Sequence, residues 1–160
     1  MSTSMSDLAI HRKPARATVT ALLETAGLPT ADLTDGYIEH FFYVGPRSAP
    51  LALVGVEMCG GDALLRSLVV APQHRSAGLG QALVAHAEAH ALGQGARAIY
   101  CLTTTAEAFF RRRGYVDADR ERAPIAVRQT REFSAICPAS SAFLVKRLPA
   151  DRPGTREKPR

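Results

Sequence analysis

The run Leu64-Leu65-Arg66-Ser67-Leu68-Val69-Val70-Ala71-Pro72-Gln73-His74-Arg75-Ser76-Ala77-Gly78-Leu79-Gly80-Gln81-Ala82-Leu83-Val84 reads as a strand, a tight loop and a helix. β-Branched and aliphatic residues suit the strand, and Pro72 ends ladder hydrogen bonding after it. Gly78 and Gly80 let the backbone curl closely around a ligand, and an Ala/Leu-rich helix follows. Such a loop gathers unpaired N–H groups at the positive end of a helix dipole, a site for phosphate or pyrophosphate. A P-loop string is missing from the chain. A dinucleotide fingerprint needs G-x-G-x-x-G and a later acid, and Ala98 to Thr105 holds no Asp or Glu. What remains is Arg-x-x-Gly-x-Gly, from Arg75 to Gly80.

The 160 residues suit one domain with a real core, and 46% hydrophobic content is ordinary for a soluble protein. No apolar run approaches a membrane span and no apolar leader opens the chain, so a cytoplasmic protein is expected. Cys59, Cys101 and Cys137 show no C-x-x-C spacing and read as reduced thiols, with a three-thiolate site for a soft metal as the alternative. The net charge of +5 owes much to the end of the chain. Residues 1–7 are expected to be a flexible start, 8–148 the folded domain, and 149–160 a basic disordered tail. A nucleic-acid role would need basic residues spread over a folded face with stacking aromatics, and that pattern is missing. Arg111-Arg112-Arg113 reads equally as a solvated helix end or as a phosphate contact.

Taken in order, Leu8 to His11 suits an edge strand, and Ala17 to Ala26 a helix with Val19, Leu22 and Leu23 on one stripe. A short second helix is expected over Thr30 to Tyr37, then a strand from His40 to Val44. Leu51–Met58 and Ala63–Val70 form a hairpin around Gly60-Gly61. Its register sets Glu57 opposite Leu64, on a face shared by Leu64, Arg66, Leu68 and Val70, with Arg66 in reach of Glu57. That pair is either a structural ion pair or an acid and a base lining a cleft, and the second reading is favoured.

Gly78 to Leu92 is the helix after the loop. His86 and His90 share one of its faces, but H-A-E-A-H is not a zinc-peptidase string, so exposed histidines and no metal are expected. Ala98 to Leu102 is a buried strand parallel to the one before the loop. Thr104-x-x-Glu107 suggests a capping box for a helix ending at Gly114, with Tyr115-Val116 starting a strand and Ser141–Leu148 forming the last one.

Arg75-x-x-Gly78-x-Gly80 resembles motif A of the GNAT N-acetyltransferases, whose loop holds the pyrophosphate of acetyl-CoA. Thr103-x-x-Ala106-x-x-Phe109-Phe110-x-x-x-Gly114-Tyr115 resembles their motif B, N-x-x-A-x-x-F-Y-x-x-x-G-F. Thr103 stands where the family has Asn. Phe110 stands where it has a Tyr that often acts as the acid for the leaving thiolate. The likeness spans about Leu8 to Leu148 and implies an α/β (α+β) fold. Its mixed sheet has about seven strands flanked by helices, splayed between the strands ending near Val70 and Leu102. Leu64 to Val70, Leu102 to Phe110, Arg122 to Ile125, Thr130 to Phe133 and Cys137-Pro138 are similar to the arsenic-resistance branch. That branch lies near enzymes that acetylate phosphinothricin and arsinothricin, which are glutamate mimics.

The resemblance implies acetyl transfer from acetyl-CoA to the primary amine of a small molecule by direct attack, with no acyl-enzyme; a base must take the amine's proton, and Glu57 is the candidate. Leu68, Val69 and Val70 would bind pantetheine. Arg75, Ser76, Ala77, Gly78, Leu79, Gly80 and Gln81 would hold the pyrophosphate, with motif B contacts from Thr103, Phe109 and Arg112. Arg66, Ser67, Arg122, Arg128 and Arg131 would grip acceptor oxygens. Tyr100, Tyr115 or water would protonate the product. Cys137 as an acylated nucleophile lacks a nearby His partner. Family habit implies a homodimer, without membrane or nucleic acid as partner. The alternatives are a protein or peptide N-acetyltransferase and a non-catalytic acetyl-CoA-binding regulatory module.

Overall fold

A computed structural model describes residues 9–27, 30, 38–75, 78–130, 133 and 141–149. The strands are β1 (Ile10–Arg12), β2 (Phe41–Val44), β3 (Ala52–Cys59), β4 (Asp62–Val70), β5 (Ala98–Thr103), β6 (Val116–Asp117) and β7 (Ala142–Arg147). The helices are α1 (Arg16–Thr25), α2 (Leu79–Gly93), α3 (Glu107–Arg111) and α4 (Ile125–Arg128). The seven strands form one mixed sheet in the order β1-β2-β3-β4-β5-β7-β6. This is the splayed α/β architecture expected from the sequence. The helix expected over Thr30 to Tyr37, Cys137 and the tail beyond 149 lie outside the described residues.

Two-residue geometry at Gly60-Gly61 sets the hairpin register, because Cys59 pairs with Asp62 and Glu57 with Leu64. Gly60 has φ 66°, the left-handed conformation that glycine supplies without steric cost. One face of the sheet is covered by α2, whose Leu83, Val84, Ala87 and Ala91 pack on Val54, Val56, Ala63 and Leu65. Alanine on that helix lets it sit close to the strands. The other face carries α1, with Val19 and Leu23 against Phe41, Leu53 and Val69. Beside it lies a third cluster of Leu64, Tyr100, Val127 and Phe143.

The sequence expectation of one shared face for Leu64, Arg66, Leu68 and Val70 is overturned by a bulge. Gly55 pairs with Arg66 and Leu53 with Val69, so β4 carries one residue more than β3 between those pairs. Ser67 takes φ 61° there. Alternation resets, placing Leu68 and Val70 toward α2 and leaving Arg66 and Val69 on the α1 face.

A second irregularity makes the site. Parallel β4–β5 pairing runs only from Ala63–Ile99 to Leu65–Cys101. Beyond it β4 continues to Val70, while β5 stays with β7 up to the pair Thr103–Ala142. The two strands part like a V, and β4 from Arg66 onward has no ladder on that side among the described residues.

Candidate active site

The gap between β4 and β5 opens into a cleft of about 740 Å³, a volume typical of small-molecule sites. Its walls include Leu68, Val69 and Val70 of β4, then Arg75, Gly78, Leu79, Gly80 and Gln81, and Phe109 and Arg112 across the gap. These residues were singled out from the sequence. Ser76 and Ala77 lie outside the described residues. Thr103 does not line the cleft; its hydroxyl accepts from Ala106 N–H at 2.9 Å and shapes the entry to α3. That bond replaces the expected Thr104 capping box, since α3 starts after Ala106 with no side-chain cap. His74, Thr105, Ala106, Ala108 and Arg113 also face the cleft. Of these, Arg113 carried a sequence signal as part of the arginine triplet, and Ala106 as part of motif B.

The N-terminus of α2 is built for an anion. Gly78 sits at the cap with φ 84°, there is no side-chain cap, and no acidic residue stands in the first turn. The first helical bond runs from Ala82 N–H to Gly78 O at 3.0 Å. The amides of Leu79, Gly80 and Gln81 therefore have no acceptor within the helix. A Cβ at Gly80 would stand 3.4 Å from the Phe109 ring and 3.7 Å from Val70, so a larger side chain would fill the gap. Arg75 turns its Nε to Val70 O at 3.2 Å. Ala71 N–H donates to Leu51 O, so alternation turns the Val70 amide away from β3 and into the gap.

The arginine triplet divides its work. Arg111 pairs with Glu107 and Asp117, both at 2.6 Å, on the surface. Arg112 and Arg113 line the cleft. Arg113 lies 4.3 Å over the Phe109 ring.

Glu57 and Arg66 do come together, on the sheet face opposite α2 and at the apex of the V. Arg66 is the first residue past the last β4–β5 pair. Its Nη1 lies 4.0 Å from Glu57 Oε1, with the side chains 0% and 12% exposed. Its Nε donates to Ser67 Oγ at 3.0 Å, and its guanidinium lies 5.9 Å from the centre of the Phe41 ring. Burial, with help from Glu57 and Asp62, pushes the neighbouring Cys59 thiol up to about 12, which keeps it protonated.

The outer arginines do not join this pair. Arg122 is 88% exposed and 3.9 Å from Asp119. Arg128 is exposed at the end of α4, and Arg131 lies outside the described residues. His86 and His90 are not the exposed helix residues expected. They are half-buried, their rings 4.7 and 4.9 Å from that of Phe42. No metal-holding cluster occurs among the described residues, and no helix there is long and apolar enough to cross a membrane.

Residues 38–117, half of the chain, match the acetyltransferase (GNAT) domain family. The chain belongs to the GNAT acetyltransferases. No curated protein matches it. Among solved structures, it is similar to N-acetylglutamate synthase from Neisseria gonorrhoeae solved with coenzyme A and N-acetyl-glutamate. The TM-score is 0.75 at 22% identity, covering 89% of this chain and 35% of the synthase. It thus spans about a third of that longer chain. A Mycobacterium tuberculosis protein in complex with CoA matches with TM-score 0.67 at 16% identity, over 88% of this chain and 99% of its own. A GNAT-family acetyltransferase from Staphylococcus aureus matches with TM-score 0.67 at 12% identity, over 89% and 99%.

In this GNAT chain the motif B aromatics have different fates. Phe109 faces the cleft, whereas Phe110 is 3% exposed in the core and edges against Tyr115. The two tyrosines expected as proton donors stand elsewhere. Tyr115 is buried with its hydroxyl donating to Glu88 at 2.9 Å. Tyr100 stacks on Phe143 in the third cluster, and neither ring lines the cleft. Burial raises both phenols above their ordinary range.

Proposed function

We propose that this GNAT protein transfers the acetyl group of acetyl-CoA to the primary amine of a small, glutamate-like amino acid. The observation that carries the reading is the uncapped α2 N-terminus opening on the β4–β5 gap, ringed by Arg75, Arg112 and Arg113. Free amides, a left-handed glycine and three guanidinium groups form a donor set that fits a pyrophosphate and no metal ligand. Val70, with its amide turned into the gap, fits the amide-rich pantetheine arm. The acceptor class is supported by the buried Arg66 beside Glu57, and by the gonococcal synthase having been solved with N-acetyl-glutamate. A phosphinate or arsinate analogue of glutamate offers the same anionic oxygens to an arginine fork. Such an activity would serve antibiotic or arsenic resistance in the cytoplasm.

An amine with a pKa well above neutrality arrives protonated, and Glu57 takes that proton. The freed nitrogen attacks the thioester carbon. The C–N bond forms, the C–S bond breaks, and the thiolate leaves with its electron pair. A backbone amide of β4 next to the one that holds pantetheine, in the stretch Leu68 to Val70, donates to the carbonyl oxygen as charge grows there. The attacking nitrogen then gives up its second proton, which water carries to the thiolate; a thiol with an ordinary pKa of about 8.5 leaves without the tyrosine that Phe110 supplants.

The test is release of CoA thiol from acetyl-CoA, with phosphinothricin, glutamate, other amino acids and polyamines as acceptors. Release with phosphinothricin but not glutamate supports the detoxifying acceptor. Release only with peptides moves the protein to peptide acetylation. CoA binding without turnover on any acceptor makes it a binding module.

A further inference from the structure

Arg113 touches both lips of the cleft at once. Its Nη2 donates to Gln81 Oε1 in the first turns of α2 at 3.1 Å. Its Nη1 donates to Phe109 O in α3 at 3.3 Å, and its guanidinium stacks 4.3 Å over the Phe109 ring. That ring in turn closes on Gly80, where a Cβ would stand only 3.4 Å away. The side chain thus holds a ring from beyond one arm of the V against a glycine beyond the other. Lysine could supply the charge but not this arrangement, because only a planar fork stacks on a ring while two of its nitrogens donate in different directions. The buried Nε–H finds no hydrogen-bond partner among the described residues, so the group is not placed simply to satisfy its own donors. Its neighbours differ in this respect: Arg111 is committed to surface carboxylates, and no partner competes with solvent for the exposed Arg112 among the described residues.

We propose that Arg113 is a positioning residue that clasps α3 to α2 and fixes the width of the cofactor cleft, acting through Phe109 and Gln81 rather than by charge alone. The inference rests on the acetyl-CoA reading above. A clasp of this kind pre-organises the empty cleft, so its loss falls on cofactor capture and not on the acceptor or the proton transfer.

The test compares Arg113→Lys, which keeps the charge, with Arg113→Met, which keeps the apolar stem over the ring. CoA affinity is measured by calorimetry without acceptor, and KM and kcat are then measured for both substrates. Both variants should raise the Kd for CoA and the KM for acetyl-CoA about tenfold, the worth of one charge-assisted hydrogen bond. kcat and the acceptor KM should stay within about twofold, and Lys should recover less than half of the loss on a logarithmic scale. An Arg113→Lys variant that matches wild type would overturn the clasp and leave a charge role. Equal losses in kcat and acceptor KM would overturn it in favour of a general packing defect. A wild-type protein that binds no CoA would instead bring down the acetyl-CoA reading, which separates the two failures.

Discussion

The two faces of β4 were made by different means. On the α2 side the cleft is assembled from neighbours in sequence: the end of a strand, a glycine loop and the first turn of a helix. Its main donors are backbone amides, and a φ of 84° at Gly78 matters more than any one side chain. On the α1 side the Glu57–Arg66 pair is assembled from two strands, with a bulge at Ser67 and the Phe41 ring of a third strand beside it. Its donors are buried side chains whose chemistry depends on desolvation. A backbone site tolerates most side-chain changes and fails when a glycine is lost. A buried charged pair fails when a single atom type changes.

The sharpest way to separate the two is Glu57→Gln. The amide keeps the shape and removes the base, so kcat should fall by about 10²- to 10⁴-fold, the usual worth of general base catalysis. CoA affinity should hold within about twofold, since Glu57 does not line the cleft. A matching loss of CoA binding would mean that the two faces are one site. Next in size is Gly55→Ala. A Cβ there would meet the Phe41 ring at 2.6 Å, and Phe41 is fully buried under α1. Displacing it should cost about 1–3 kcal/mol of stability, seen as a lower denaturant midpoint. It should also weaken the acceptor side before the cofactor side, because Arg66 rests on that ring. Gly78→Ala should do the reverse. The left-handed backbone costs an alanine about 1–2 kcal/mol, and CoA affinity should fall with little change in acceptor KM. Equal effects on both substrates would erase the distinction between the faces.

The same contrast explains what could be read in advance. Arg75, Gly78, Gly80 and Gln81 were readable because strand, loop and helix adjoin in the chain, and the glycine spacing carries the geometry with it. The Glu57–Leu64 register was readable because a two-residue glycine turn sets it. The face of Leu68 was not, because one extra residue at Ser67 reverses every side chain after it, and a serine at φ 61° leaves no mark in composition. Tyr115 read as an acid for the leaving group because motif spacing cannot reveal that Glu88, 27 residues earlier, takes its hydroxyl. Arg122 and Arg128 carried only the chemistry of arginine and stand apart from the site, whereas the pairing of Glu57 with Arg66 followed from the hairpin register.

A last, smaller effect lies away from both faces of the site. His90 sits against Phe42 with its ring 5.7 Å from that of His40, and His86 lies one turn earlier. Burial lowers the pKa of His86, and burial together with His40, Arg12 and His86 lowers that of His90. The charged imidazolium is therefore disfavoured in the folded state and free to form in the unfolded one. Below the ordinary value of about 6.5 the unfolded chain binds more protons, so stability falls as pH falls. The contribution is whole above that value and is lost as pH drops through the lowered folded pKa. His90→Gln removes the titration and keeps a polar side chain of similar reach. The fall in Tm between pH 7 and pH 5 should then be shallower by a few degrees at most, since half the environment is solvent. CoA affinity at pH 7 should be untouched, because His90 stands near the far end of α2 from Gly78. A variant with the wild-type slope would assign the acid sensitivity to the carboxylates instead. A change in CoA affinity would show that the α2 C-terminal half and the anion-binding end are coupled through the helix, joining regions that packing alone keeps apart.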